Sequence, residues 1–296
     1  MKRFAPYVIV FAAFLWSTDA LIRLPLTGHV PSQVIVFYEH LFGVVLLLPV
    51  LFLKLSEFRN LNRKDWMAIL CIGVGGSALA TLFFTQSFLY VSPSVSILLQ
   101  KVQPLLAISL AALLLKERLN KHFLLWAFVA IVGAFFVSFP DGHINFSLSD
   151  SRGIYLALAA AFFWGASTVF GRMVVTKISF AALTVIRLLV ALMFITVLMT
   201  TQRTLASLGD VSSGDVWSLI LITLVPGTGA LLLYYGGLRH TKASIATIAE
   251  LFFPFAAVIL NWFFLDQTLV VPQIIGGAVL LFGIYQVQKH NRASHG

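Results

Sequence analysis

Asp19, Glu39, His40, Lys101, Arg187 and Glu250 stand inside stretches that are otherwise almost wholly apolar. An ionised side chain in such surroundings is costly, so each needs an opposite charge, a water-filled path or a cargo to face. Acids and bases at similar depth can hold an amine and a carboxylate together, or they can be fixed ion pairs that only fasten helices. His40, next to Glu39, adds a group able to exchange protons near neutral pH. Gln100 shares a helical face with Gln103 and Ser96, where it either lines a path or bonds helix to helix. Trp16, Trp164 and Tyr234 lie near the embedded charges and are candidate cavity residues. The chain has no G-x-x-x-x-G-K-[ST], H-E-x-x-H or G-x-S-x-G pattern, and its seven histidines lack metal-ligand spacing. No catalytic residue, metal or cofactor is therefore expected, and ATP hydrolysis by the chain is excluded as an energy source.

The elements that carry these residues must be membrane helices. Of 296 residues, 59% are hydrophobic and 10% charged, whereas globular chains carry about 25% charged residues. Apolar windows of near-spanning length fall at about 4–22, 32–53, 66–89, 94–115, 122–139, 153–174, 179–200, 216–238, 243–264 and 270–287. With the N-terminus in the cytoplasm, most of the 20 Lys and Arg residues gather in the inner loops and ends, while Arg23, Arg152 and Arg203 fall outside. The net charge of +9 is then an orientation signal, and a nucleic-acid partner is not expected. Met1-Lys2-Arg3 and the apolar run after it read as an uncleaved first span, because no small-residue cleavage site closes it.

The chain is also a duplication. Laid over itself without a gap, Ser94–Leu119 falls on Ser244–Leu269, so that Ser94 meets Ser244, Pro104 meets Pro254 and Gly133 meets Gly283. Five spans per copy is an odd number, so the second copy enters the membrane from the opposite side. The expected fold is an all-α integral membrane protein of ten transmembrane helices in two inverted five-helix repeats. Residues 1–140 form the first repeat, 152–288 the second, and 289–296 a short cytoplasmic tail. Gly76 in the third span, beside Gly75, matches Pro226 in the eighth, beside Gly227, and Pro104 matches Pro254. Paired Gly/Pro interruptions mark a hinge or binding region in such repeats, or simply close helix packing.

The segment around Ser94–Leu119, with its small-residue turn, mid-helix proline and Lys116-Glu117-Arg118-Leu119 helix end, resembles the repeat of the EamA-type family in the drug/metabolite transporter superfamily. Trp16 and Trp164 occupy the tryptophan position of the first helix in each repeat, and Arg187 fits an arginine frequent in the second helix. The second copy departs from the pattern at Asp266-Gln267-Thr268. The resemblance implies a secondary carrier, exporting a small metabolite across an inner membrane, and the charge bias of the loops places both termini in the cytoplasm. The embedded charges point to a polar or zwitterionic cargo such as an amino acid, with protons as a candidate coupling ion. A carrier of lipophilic cations or drugs, or a non-transporting membrane sensor, is the alternative. Oligomeric state stays open. Depth along the spans groups Asp19, Glu39, His40 and Lys101 in an outer layer and Arg187 with Glu250 in an inner one. Glu39 is expected to approach Lys101, and Arg187 to find its opposite charge in Glu250.

Overall fold

The computed structural model describes residues 4–91, 96–97, 99–117, 119–138, 151–264 and 270–293, and among these every regular element is helical. In the first repeat these are α1 (Ala5–Thr27), α2 (Ser32–Leu53), α3 (Arg63–Ser87), α4 (Gln103–Leu114) and α5 (Lys121–Ser138). The second repeat holds α6 (Ser151–Val175), α7 (Phe180–Thr201), α8 (Ser213–Leu238), α9 (Ala243–Ala249 continuing as Phe252–Phe264) and α10 (Val271–Ala293). Six of them, α1, α2, α3, α6, α7 and α8, are long and apolar enough to cross a membrane; the other four are shorter apolar helices. Large apolar side chains face outward from the bundle, among them Leu53 at 79% exposure and Trp217 at 72%, which suits contact with acyl chains rather than water.

Local chemistry starts and breaks these helices in repeat-equivalent ways. At the heads of α3 and α8, Asn62 with Asp65 and Ser212 with Asp215 form matching capping boxes that satisfy the first free amides. Each of these helices then carries a wide π-helical turn, Cys71–Leu79 in α3 and Thr223–Gly227 in α8. In α8 the cause is visible: Pro226 has no amide to give, so the regular ladder cannot pass through it. The fourth helix of each repeat is broken too. Pro104 and Pro254 withhold the amides that would bond to the carbonyls of Gln100 and Glu250. Those carbonyls accept instead from Gln103 and Phe253, one residue earlier, in a tight turn. This shortens the regular part of α4 to Gln103–Leu114, less than the sequence window suggested.

Helix contacts respect an exchange of the two repeats. Helix α2 packs on its counterpart α7, and α5 packs on α10. Helix α1 lies against α8 and α9, and its counterpart α6 lies reciprocally against α3 and α4. Between α5 and α10 the backbones nearly touch. A methyl group added at Gly283 would sit 2.7 Å from the Ala130 nitrogen, and one at Gly276 2.9 Å from the Val137 nitrogen. Small residues permit this approach, which gives packing between helices where lipid supplies no hydrophobic drive.

Candidate functional site

Between the repeats, α1, α2, α3, α6, α7, α8, the turn before α4 and α9 enclose one cavity. The breaks described above put polar groups into its wall. Gln100 and Glu250, repeat-equivalent residues at the two pre-proline turns, both line it, as do Pro104, Pro226 and Gly227. Of the other candidates, Trp16, Asp19, Glu39, His40, Trp164, Arg187 and Tyr234 all reach the same space. Gly75 and Gly76 lie behind it instead, under Phe163 and Ser167, and Pro254 is buried beside the wall residue Phe253. The Lys101 side chain lies outside the described residues, so its approach to Glu39 is not seen.

Glu39 has another partner. Arg23, read from sequence as an outer-loop cation, is inside α1 and only 3% exposed. One turn after Asp19, it forks onto that carboxylate at 2.7 Å through Nε and 2.8 Å through Nη2. Nη2 also donates to Glu39 Oε2 at 2.8 Å, and Nη1 to Thr85 Oγ1 at 3.2 Å. One guanidinium thus ties α1, α2 and α3 together and donates to two acids. The sequence signal was present, since Asp19 and Arg23 share a helix face at four-residue spacing. His40 is 2% exposed, and its Nδ1 donates to the Val36 carbonyl at 2.7 Å, which leaves Nε2 for the cavity side.

Arg187 and Glu250, expected to pair, do not. Arg187 donates to Ser77 Oγ, to the Tyr235 hydroxyl at 2.6 Å and to the Gly76 carbonyl at 2.8 Å, and its guanidinium lies 5.6 Å from the Tyr235 ring centre. The π-helical turn in α3 is what makes a backbone carbonyl accessible there. Glu250 accepts from Gln103 Nε2 at 2.7 Å and from the Tyr234 hydroxyl at 2.8 Å, whose oxygen is also 2.9 Å from Thr168 Oγ1. Among the described residues neither charge makes an ion pair. The side-chain reach across the bundle was not legible from depth alone.

Two aromatic pairs complete the wall. Trp16 and Tyr234 have ring centres 5.1 Å apart, and Phe84 and Trp164 stand edge to face at 5.3 Å. Four buried polar atoms on the same surface have no hydrogen-bond partner among the described residues: Gln100 Nε2, Ser167 Oγ, Thr228 Oγ1 and Thr247 Oγ1. Native interiors leave few such atoms unpaired, and their gathering on one cavity marks it as a place built for a polar guest. Ser167, Thr228 and Thr247 drew no attention in sequence, because hydroxyls are common in membrane helices and ordinarily bond to their own backbone.

A protein-family description matches this architecture twice, over residues 3–139 and 151–287, as the EamA-like transporter family. The chain belongs to the EamA-like transporter family. It is 32% identical over 299 residues to a protein of Fusobacterium nucleatum named riboflavin transporter ImpX, covering 96% of this chain and 97% of that one. An uncharacterized transporter of Bacillus subtilis, YdfC, is 28% identical over 92% of this chain and 87% of its own. A solved crystal structure superimposes on 99% of the chain and 100% of its own with a TM-score of 0.79 at 18% identity, a likeness of fold. As an EamA-like transporter, this is a multi-pass helical membrane protein that binds a small-molecule substrate, and the cavity between its repeats is the candidate binding region.

Proposed function

We propose that this EamA-like transporter carries riboflavin or a similarly flat, hydroxylated heterocycle across the inner membrane. The observation that carries the reading is the coincidence, on one cavity, of two aromatic pairs with four unpartnered polar atoms. Aromatic faces suit a planar ring system, and the hydroxyls and the Gln100 amide suit its polar edge and hydroxylated chain. The name of the Fusobacterium relative, alike over nearly its whole length, supports the same class. Ten spans in two inverted repeats, cytoplasmic termini and the outward direction that the family resemblance implies belong to this proposal. Protons are its candidate coupling ion, with His40 and Glu250 at the cavity to exchange them.

A second reading has its own observation. Arg187 and Glu250 reach one cavity without ionic partners among the described residues, which suits the carboxylate and amine of an amino acid. A lipophilic cation would have to compete with Arg23, which already donates to both Asp19 and Glu39. The test is flux in proteoliposomes, in both directions and with and without a pH gradient, using labelled riboflavin and a panel of labelled amino acids. Saturable riboflavin flux above empty vesicles is expected. Flux of amino acids alone would favour the second reading, and no flux of any solute would favour a sensor.

A further inference from the structure

Arg187 is 6% exposed and reaches the cavity from α7. Its three acceptors, Ser77 Oγ, the Tyr235 hydroxyl and the Gly76 carbonyl, are all neutral. Arg23, at the other group of charges, holds two carboxylates. A buried guanidinium with no anion is the more costly of the two, and it still has N–H groups to donate. Beside it, Ser167 Oγ is buried without a partner among the described residues. The hydroxyl sits over Gly76, in space a methyl group there would occupy, and Arg187 Nη2 is 3.6 Å from the same point. A glycine at this place therefore lets a free hydroxyl and an incompletely used guanidinium stand side by side at the cavity wall.

A purely structural role for Arg187, bracing α7 against α3 and α8, accounts for the three bonds it makes. It does not account for the unpaired hydroxyl on α6 next to it. We infer that Arg187 and Ser167 form the subsite for a planar acceptor edge of the substrate, either the carbonyls of a heterocyclic ring or a carboxylate. The flat fork of the guanidinium matches two coplanar oxygen or nitrogen acceptors, and the hydroxyl supplies a further donor at the side. The cation orients the substrate, and the aromatic pairs then hold the rest of the ring. The assignment rests on the carrier reading above and narrows it to the chemistry of one edge.

The experiment measures binding to the full chain in lipid nanodiscs with lumichrome, a tricycle bearing ring carbonyls, and phenazine, a tricycle without them. A parallel arm compares an amino acid with its carboxamide. Wild type should bind the acceptor-bearing member of the preferred pair about tenfold or more tightly. Arg187→Lys, which keeps the charge but loses the fork, should bring that ratio close to one while leaving affinity for the other member unchanged. Ser167→Ala should weaken the preferred ligand about two- to tenfold and leave the ligand-free melting temperature the same or higher, since it removes a hydroxyl that bonds to none of the described residues. If wild type discriminates between lumichrome and phenazine and both variants keep the same ratio, the subsite is wrong while the flavin reading stands. If only the amino-acid pair is discriminated and the variants abolish it, the subsite holds and the flavin reading falls. Binding to neither pair overturns both.

Discussion

The residue that reorganises the reading of the charges is Arg23. Its guanidinium faces Asp19 and Glu39 at 2.7 and 2.8 Å, so one cation holds two acids at one place, while Arg187 and Glu250 reach the cavity without an ion pair among the described residues. Removing the cation alone should be severe, because two buried acids lose their counter-charge. Arg23→Met is expected to cost about 3–5 kcal/mol, seen as a large fall in melting temperature in detergent. Neutralising the acids as well, with Asp19→Asn and Glu39→Gln in the same chain, should recover most of that loss. A triple variant as unstable as the single one would show that Arg23 does not act through its charge.

At the scale of elements, the helices meet through devices that the two repeats share. The pairing of α5 with α10 depends on glycines whose neighbours are backbone atoms, which cannot turn aside as a flexible side chain would. Gly283→Ala should therefore lower the melting temperature, by the equivalent of about 1–3 kcal/mol, while Gly209→Ala, with nothing within 4 Å, should not. The loop between α2 and α3 is tied differently. Glu57 accepts from the Ser179 amide at the head of α7 at 2.6 Å and pairs with Lys54 at 3.0 Å. Partial burial pushes its carboxyl upward, but the Ser179 amide and Lys54 outweigh this and hold it below the usual glutamate value. A carboxyl depressed in the folded state stabilises above its unfolded pKa and loses that contribution as pH falls through its folded one. Thermal unfolding followed from pH 7 downward should thus show an acid-side loss that Glu57→Gln reduces.

For the whole molecule, the exchange of contacts between repeats fits a two-fold relation, in which α1 meets α8 and α9 as α6 meets α3 and α4. Inversion across the membrane adds a sharper expectation. Asn60 and Gly209 are exposed and stand in corresponding turns of the two repeats. With Cys71 replaced, a cysteine at 209 should be labelled by an impermeant thiol reagent from outside intact cells and one at 60 only after permeabilisation. Labelling of both from the same side would break the inverted ten-span arrangement. Gly142, in the link between repeats, lies outside the described residues.

Apolar windows, the charge bias of their loops and the match of Ser94, Pro104 and Gly133 to Ser244, Pro254 and Gly283 are properties of the chain as written, so helical class, duplication and family were legible in it. So were Asp19, Glu39, Trp164 and Pro226 at the cavity, because a charge, a tryptophan or a Gly/Pro break inside an apolar run stands out locally. The helix ends were less legible: Pro104 and Pro254 are visible in sequence, yet how far their missing amides unwind α4 and α9 depends on which carbonyls find other donors. Partnership was decided only by tertiary structure. Depth along a helix says how far a group lies from the surface, whereas an ion pair depends on the rotation of each helix and the reach of each side chain across the bundle. Those two quantities give Glu39 to Arg23, keep Arg187 from Glu250, and leave the Ser167 hydroxyl unpaired beside a guanidinium.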